Sequence, residues 1–194
     1  IGKQPVKAKR SVLKKSEFLP PTVIGDGCTI GTSAIIYAGA VLKDNVYVAD
    51  LATIRERVTI GEETIVGRGV AIENDCTIGC RCKLETNCYI TAYSTLGNDV
   101  FIAPGVVTSN DNYMGRTKER FAKMKGVTVK NGGRIGANAT LLPGIVIEED
   151  GTVGAGSVVT KNVGARELVV GVPARKLRDV PEEQWLENQE KEKS

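Results

Sequence analysis

The most regular feature of this chain is an aliphatic residue at every sixth position. Twenty positions follow this rule in two runs separated by a gap, and all of them are Ile, Leu or Val. They are Ile24, Ile30, Ile36, Leu42, Val48, Ile54, Ile60, Val66, Ile72, Ile78, Leu84, Ile90, Leu96 and Ile102, then Val129, Ile135, Leu141, Ile147, Val153 and Val159. A six-residue period matches neither a 3.6-residue helix nor a simple two-residue strand alternation. A hexapeptide period predicts a parallel β-helix.

A second pattern lies four residues after each aliphatic, where most residues are small. A large inward residue paired with a small one suits a narrow triangular prism with flat faces and tight corners. Since three hexads make one coil, twenty hexads predict about seven coils, stacked at about 4.8 Å. Glycine directly follows many of the aliphatics, as at Gly61 and Gly79, and pairs such as Asn74-Asp75 lie just beyond them. We interpret both as turn residues that tolerate positive φ.

The two ends of the chain differ from the repeat and predict short appendages to a single domain spanning residues 22–178. Residues 1–21 form a basic lead-in, and its first twenty positions hold six cations against Glu17. The cations are Lys3, Lys7, Lys9, Arg10, Lys14 and Lys15. A solvated segment is the favoured interpretation, with contact to nucleic acid or membrane as the alternative; nucleic acid is disfavoured because aromatic residues do not interleave with the charges. Asp179, Pro181 and Glu182 predict a helix start within residues 179–194, anchored by Trp185 and Leu186.

The five cysteines raise the question of a metal site or a disulfide framework. Cys76, Cys80, Cys82 and Cys88 are close in sequence, but Cys28, Cys76, Cys82 and Cys88 fall on the small inward positions of the repeat. Free cysteine there acts as a compact apolar residue, so packing is favoured over zinc or iron–sulfur ligation. An odd number of mostly buried thiols suits a reducing cytoplasm, and no apolar run is long enough for a leader or a membrane span.

The gap in the repeat predicts a loop that leaves the prism. Ile102 and Val129 are 27 positions apart, which is not a multiple of six, and residues 108–126 are polar and basic with Tyr113, Met114 and Phe121 among them. Long loops on rigid scaffolds usually carry function, and a subunit-contact arm is the alternative.

Three motifs, combined with the repeat, are similar to one protein family. They are Ile102-Ala103-Pro104-Gly105 before the loop, the run Gly154–Lys161, and Val170-Gly171-Val172-Pro173-Ala174-Arg175. Across residues 22–178 the chain resembles the left-handed β-helix acyltransferases, the hexapeptide-repeat family. The resemblance implies left-handed coiling, acetyl-CoA or another acyl donor as cosubstrate, and a homotrimer with active sites between subunits. With the cysteines assigned to packing, we expect no metal.

The resemblance also implies which residues contact the acyl-CoA. The matching positions are Ala137, Ala155, Thr160, Lys161, Arg175 and Arg178. The cations among them suit the pyrophosphate and 3′-phosphate of CoA, and the small residues suit close approach of the pantetheine arm.

The chain contains no histidine, and this absence limits the mechanisms that it can use. Many hexapeptide acyltransferases use a loop histidine as general base, and the carbonic anhydrases on the same prism need three; both mechanisms are excluded here. The remaining resemblance is to the N-acetyltransferases of 3-amino nucleotide sugars, whose loop opens with Thr-Asn-Asp-x-x-Pro-Arg. The run Thr108–Arg116 is similar, but it inserts Ser109 and has Gly115 where proline is expected. Asn87 matches an asparagine that relatives present to the reacting centre.

We therefore expect an acetyl-CoA-dependent N-acetyltransferase in which a sugar amine attacks the thioester directly, without a histidine base, in cytoplasmic glycan-precursor synthesis. The catalytic candidates are Asp111, expected to orient the amine or accept its proton, and Asn87 and Asn110, expected to hold the amine or the thioester. The substrate-binding candidates are Glu85, Tyr113, Arg116, Lys118 and Arg120. Glu85 is also the second choice, after Asp111, for the carboxylate that handles the amine proton. The alternatives are an O-acetyltransferase acting on a sugar or small alcohol, and a non-catalytic trimeric β-helix scaffold.

Overall fold

The hexad pattern folds into two-residue strands on three flat faces, in a computed structural model that describes residues 1–9 and 18–189. In these strands the first side chain points outward and the second points inward; the second is the periodic aliphatic in every one except Val107–Thr108. Sheet one contains β1 (Val23–Ile24), β4 (Val41–Leu42), β7 (Thr59–Ile60), β10 (Thr77–Ile78), β13 (Thr95–Leu96), β16 (Thr128–Val129) and β19 (Val146–Ile147). Sheet three contains β3 (Ile35–Ile36), β6 (Thr53–Ile54), β9 (Ala71–Ile72), β12 (Tyr89–Ile90), β15 (Val107–Thr108), β18 (Thr140–Leu141) and β21 (Val158–Val159).

Sheet two is longer because the C-terminal part of the chain adds to it. It contains β2 (Thr29–Ile30), β5 (Tyr47–Val48), β8 (Ile65–Val66), β11 (Lys83–Leu84), β14 (Phe101–Ile102), β17 (Arg134–Ile135), β20 (Thr152–Val153), β22 (Glu167–Gly171) and β23 (Ala174–Asp179). The chain visits the three sheets in turn and every pairing up to β22 is parallel, so β1–β21 make seven coils of a parallel β-helix. Val163 and β22 begin an eighth coil, and β23 returns antiparallel to β22. The predicted fold class and coil number are confirmed.

The core of the prism is the aliphatic ladder itself. Eighteen of the twenty periodic aliphatics are at most 1% exposed. Ile24 and Ile30 are only partly buried because no complete coil covers the first coil, to which they belong. Ile36 in the same coil is fully buried beside the N-terminal segment, which pairs along that edge. Burying each such side chain contributes about 1.5–3 kcal/mol, so the ladder provides the main driving force of folding.

The corners of the prism correct one part of the sequence interpretation. The residue three positions after the aliphatic carries the positive φ, as at Asn45 (58°), Gly69 (66°) and Asp75 (59°). Glycines directly after the aliphatic serve a different purpose, which is close stacking of coils. A Cβ at Gly61 would lie 2.5 Å from the backbone carbon of Gly79 in the next coil.

The three corners give a frame for locating the candidate site. The first corner joins sheet one to sheet two, the second joins sheet two to sheet three, and the third joins sheet three to sheet one of the next coil. Sheet three therefore lies between the second and third corners.

The N-terminal lead-in makes a defined contact with the first coils. Gly2 donates its N–H to the Ile36 carbonyl at 2.8 Å, and Ala38 donates to the Lys3 carbonyl at 3.0 Å, so this segment extends the open edge of sheet three. Lys3 is exposed, and its ammonium lies 5.3 Å from the centre of the Tyr37 ring. The predicted charges Arg10, Lys14, Lys15 and Glu17 lie outside the described residues.

The C-terminal segment folds back on the prism, and its helix begins later than predicted. Asp179 still belongs to β23; a 3₁₀ helix covers Glu182–Gln184 and α2 covers Leu186–Gln189. Trp185 and Leu186 do anchor the segment. The Trp185 indole donates to the Val180 carbonyl at 3.0 Å, and the Leu186 N–H donates to the Asp150 carboxylate at 3.0 Å. No helix in the described ranges is long and apolar enough to cross a membrane.

Three cysteines occupy the inward positions that the repeat register assigned to them. Cys76, Cys82 and Cys88 are at most 1% exposed, while Cys28 and Cys80 are partly exposed. Burial raises the pKa of the Cys76 thiol to about 11 and that of Cys88 to about 12. These thiols are therefore protonated at neutral pH and act as small packing groups.

Candidate active site

The excursion loop leaves the prism at the third corner, one residue later than predicted. Thr108 is the inward residue of β15, only 2% exposed, and takes the place of an aliphatic. Its hydroxyl donates to the Tyr89 carbonyl at 3.1 Å and accepts the Thr91 N–H at 2.8 Å. The loop is therefore 109–126.

The loop re-enters the prism without disturbing the stack. Thr95 pairs with Thr128, 33 residues on, whereas Thr77 pairs with Thr95, 18 residues on; the excursion thus adds 15 residues to one coil. The buried Ser94 hydroxyl accepts the Val127 N–H at 3.2 Å and donates to the Thr91 carbonyl at 2.7 Å. The sequence analysis did not predict Thr108 and Ser94 as loop anchors. Thr108 could have been found, because it stands where the repeat expects an aliphatic, directly before the loop.

Backbone hydrogen bonds join the two ends of the loop to each other and to the prism. Lys125 donates its N–H to the Asn110 carbonyl at 3.1 Å, and the Lys125 carbonyl accepts the Gly144 N–H at 3.0 Å. Asn110, a catalytic candidate, thus contributes its backbone carbonyl to the junction between loop and prism.

Asp111 organises the interior of the loop. Its carboxylate accepts the Tyr113 N–H at 2.8 Å, the Gly115 N–H at 2.9 Å and the Arg120 guanidinium at 2.6 Å. The Gly115 hydrogen bond, followed by those of Tyr113 and Arg120, lowers the pKa of Asp111. A carboxylate held in this way is a weaker proton acceptor than a free one, which favours the orienting role expected of Asp111 over the accepting one.

Two of the predicted substrate-binding residues are also engaged inside the loop. Arg120, at the start of helix α1 (Arg120–Lys123), pairs with Asp111 and lies 4.7 Å from the centre of the Phe121 ring. The Tyr113 hydroxyl accepts the Lys123 ammonium at 3.1 Å. Arg116 and Lys118, in contrast, are exposed on the loop surface.

A second group of candidates lies at the second corner. Asn87 has a positive φ of 59° and is exposed; its side-chain oxygen lies over Gly69, where a Cβ would come within clashing distance. Glu85 precedes it at the same corner and is partly exposed. Ala137 and Ala155 stack there in successive coils, and the Gly156 N–H donates to the Ala137 carbonyl at 2.8 Å.

The remaining CoA candidates are divided between the third corner and the β22–β23 hairpin. Thr160 and Lys161 follow β21 and are exposed at the third corner, two coils beyond the loop exit. Arg175 and Arg178 are exposed on β23, where their guanidinium groups donate to the Ala174 carbonyl at 2.7 Å and the Asp179 carbonyl at 3.1 Å.

One chain therefore presents its candidates on both sides of sheet three rather than in one pocket. The loop, Thr160 and Lys161 lie at the third corner, and Asn87, Glu85, Ala137 and Ala155 lie at the second. The outer face of sheet three between them includes Tyr89 and Val107, which are 36% and 44% exposed. No group of three or more His, Cys, Asp or Glu side chains suited to a metal ion occurs in the described part of the chain.

Comparison with known proteins matches the repeats to transferase families. Residues 21–56 match the family described as "Bacterial transferase hexapeptide (six repeats)", and residues 126–161 match "Hexapeptide repeat of succinyl-transferase". The chain is 33% identical over 104 residues to the bifunctional protein GlmU of Rubrobacter xylanophilus, covering 54% of this chain and 20% of that protein. It is 33% identical over 89 residues to the galactoside O-acetyltransferase of Escherichia coli, covering 44% of each.

Among solved structures, the fold is similar to that of a variant of AntD, an N-acyltransferase from Bacillus cereus, in complex with dTDP-4-amino-4,6-dideoxyglucose and coenzyme A. The TM-score is 0.60 at 21% identity, covering 88% of this chain and 89% of that one. The chain spans less than half the length of the two curated relatives above. These matches confirm the predicted resemblance to the hexapeptide-repeat acyltransferases: the chain carries the hexapeptide repeats of bacterial transferases on a parallel β-helix.

Proposed function

We propose that this protein is a CoA-dependent N-acyltransferase that transfers an acetyl group to the amine of a nucleotide-linked amino sugar. The observation that carries the proposal is the excursion loop, which a β-helix does not need for its stability. Because the chain has no histidine to act as a base, an amine is favoured as the acceptor. The similarity in fold to AntD, an N-acyltransferase in complex with an amino nucleotide sugar and coenzyme A, supports the same reaction class. Five free cysteines fit a reducing cytoplasm, where we place the reaction.

An amine substrate removes the need for a strong protein base. The neutral amine attacks the carbonyl carbon of the thioester, the carbon–sulfur bond breaks, CoA leaves as the thiolate, and the excess proton of the new ammonium goes to that thiolate through solvent. The protein contributes alignment, which is worth roughly 7–11 kcal/mol in well-oriented systems. Asp111 contributes by fixing the loop, through the three hydrogen bonds that it accepts.

The exposed cations fit the charged parts of the two substrates. Lys161, Arg175 and Arg178 supply positive charge for the phosphates of CoA, and Ala137 and Ala155 leave space for its pantetheine arm. Of the three loop cations expected to bind the nucleotide diphosphate, Arg116 and Lys118 remain exposed for that role, whereas Arg120 is paired with Asp111.

A homotrimer would join the two groups of candidates. In one chain the loop and Asn87 lie at different corners, on either side of sheet three. Three-fold packing brings the third corner of one subunit to the second corner of the next. Tyr89 and Val107 on the outer face of sheet three provide apolar surface for such packing.

The test is thiol release from acetyl-CoA with a panel of amino nucleotide sugars and their hydroxyl counterparts. We expect turnover with an amino sugar, none with its hydroxyl counterpart, and a loss of at least tenfold in kcat/KM in Lys161→Gln and Arg175→Gln. Lys83→Gln, an exposed cation in mid-prism, is the matched control and should retain full activity.

The other outcomes separate the alternatives. Turnover with the hydroxyl compounds alone would identify an O-acetyltransferase, a reaction class represented by the galactoside relative. Absence of both turnover and a thermal shift at saturating acetyl-CoA would identify a scaffold.

A further inference from the structure

Arg134 is the one residue in the described ranges with buried side-chain nitrogen atoms that lack a hydrogen-bond acceptor. It is the outward residue of β17 on sheet two, and the C-terminal segment covers it. Its Nη1 donates to the Gln184 side-chain oxygen at 3.2 Å, while Nε and Nη2 are both buried without a partner. Burial lowers the pKa of Arg134.

The two unpartnered atoms are not an arbitrary pair. Nε and Nη2 form the side-on edge of the guanidinium, which we call the Arg134 fork. Such an edge donates two parallel hydrogen bonds to a carboxylate or phosphate. A buried charge without its hydrogen bonds costs free energy, and such groups are rare in folded proteins. The geometry therefore indicates an acceptor with two oxygen atoms at this edge.

Two of the three nearby carboxylates are engaged elsewhere. Asp99 accepts two hydrogen bonds from the Arg81 guanidinium, at 2.9 and 2.7 Å. Asp150 is 6% exposed and accepts the Leu186 N–H at 3.0 Å. Glu183, the third, is exposed. None of the three forms an ion pair with Arg134, so the described part of the chain gives Nε and Nη2 no acceptor.

Arg134 borders a cleft between the prism and the C-terminal segment, with Nε and Nη2 buried beside it. This cleft has a volume of about 250 Å³ and is lined by Phe101, Leu186, Gln184 and Gln189, by the acidic residues Asp99, Asp150 and Glu183, and by Arg134. Phe101 and Leu186 give it apolar walls, and the two glutamine amides add polar groups. It lies on sheet two beside the first corner, whereas the excursion loop leaves from the third.

We propose that this cleft binds a small oxyanion, a carboxylate or phosphate on an apolar body, through the Arg134 fork. The apolar body packs between Phe101 and Leu186, and Gln184 holds the third guanidinium nitrogen. Because Nε and Nη2 are shielded from solvent, the C-terminal segment Glu182–Gln189 moves aside as the ligand enters.

Trp185 provides a direct reporter, since it is the single tryptophan of the chain and lies between two cleft residues. Its fluorescence is titrated with cyclohexanecarboxylate, with inorganic phosphate, and with cyclohexanecarboxamide, which has the same shape without charge. We expect saturable changes with one or both anions and none with the amide. Saturation by phosphate alone or by the carboxylate alone identifies which oxyanion the fork accepts.

Substitutions at Arg134 separate a specific site from a general charge effect. Arg134→Gln should weaken anion binding at least tenfold, and Arg134→Lys, which keeps the charge without the fork, should weaken it similarly. Lys83→Gln, an exposed cation on the same sheet, should bind as the unaltered protein does.

Stability without ligand supplies an independent measurement. Because Arg134→Gln removes an unpartnered buried charge, its Tm without ligand should equal or exceed that of the unaltered protein. A lower Tm would show that the fork has a partner within the chain and would overturn the proposal. Equal binding of the amide, or anion binding unchanged in Arg134→Gln, would overturn it as well.

Discussion

The prism and the excursion loop of this chain are stabilised in opposite ways. In the prism, most strands pair with the strand 18 residues on and bury one aliphatic; Ile90, for example, is fully buried and pairs with Ile72 of the preceding coil. In the loop, helix α1 has no buried residue and Phe121 is 51% exposed. One carboxylate, that of Asp111, collects three of its hydrogen bonds.

This difference separates stability from function. The prism repeats one interaction many times, so its stability is distributed along the chain and any coil resembles the next. The loop depends on a few contacts that occur once, so a single change there alters its geometry while leaving the prism intact. Substitutions in the two regions should therefore affect different measurements.

The largest effect is expected in the prism core. Ile90→Ala should lower the free energy of unfolding by about 2–5 kcal/mol, because it leaves a cavity between tightly stacked coils. Chemical denaturation measures this loss. Ile24→Ala in the partly exposed first coil is the control and should cost clearly less; equal losses at both positions would contradict a gradient of packing along the prism.

The junction between prism and loop should show an intermediate effect. Thr108→Val keeps the shape of the side chain but removes the hydroxyl that accepts the Thr91 N–H, leaving a buried donor unpaired. We expect a loss of about 1–3 kcal/mol in the free energy of unfolding. Val107→Thr, on the outward side of the same strand, should change it by less than about 0.5 kcal/mol. A stable Thr108→Val protein would show that water replaces the hydroxyl.

The same contrast explains how much of the molecule the sequence predicts. Aliphatics such as Ile90 recur with one period, so their inward direction, the three sheets and the coil number follow from the pattern alone. The partners of Asp111 do not follow, because Arg120 is nine residues away in a stretch without periodicity and their contact depends on the loop conformation. The antiparallel return of β23 was likewise missed, since Ala174–Asp179 has no hexad signal.

Asp111→Asn tests the positioning role of the loop carboxylate. An amide cannot accept from two backbone N–H groups and the Arg120 guanidinium together, so we expect at least a tenfold fall in kcat/KM, about 1.4 kcal/mol, with little change in Tm. Asp99→Asn, which removes an arginine-paired carboxylate from the prism, should leave kcat/KM unchanged.

A double-mutant cycle shows how Asp111 acts. If it positions the loop with Arg120, the combined effect of Asp111→Asn and Arg120→Met should be smaller than the sum of the two separate effects. Full additivity, together with loss of the acidic limb of the kcat pH profile in Asp111→Asn, would instead identify Asp111 as the base.

The smallest expected effect is a local response of the loop to acid. Since hydrogen bonds from Gly115, Tyr113 and Arg120 lower the pKa of Asp111 in the folded protein, its stabilising contribution is fully present above the unfolded pKa of about 4 and is lost as pH falls through the lower folded value. Hydrogen-exchange protection across 109–126 should therefore stay constant from neutral pH to about 5 and decrease below about 4. Amides of the sheet-one strands near Ile78 should keep their protection over the same range. In Asp111→Asn, hydrogen-exchange protection of the loop should be low at every pH. If protection in this variant still decreased in acid, the effect would belong to another group, such as Glu119, which is paired with Lys123.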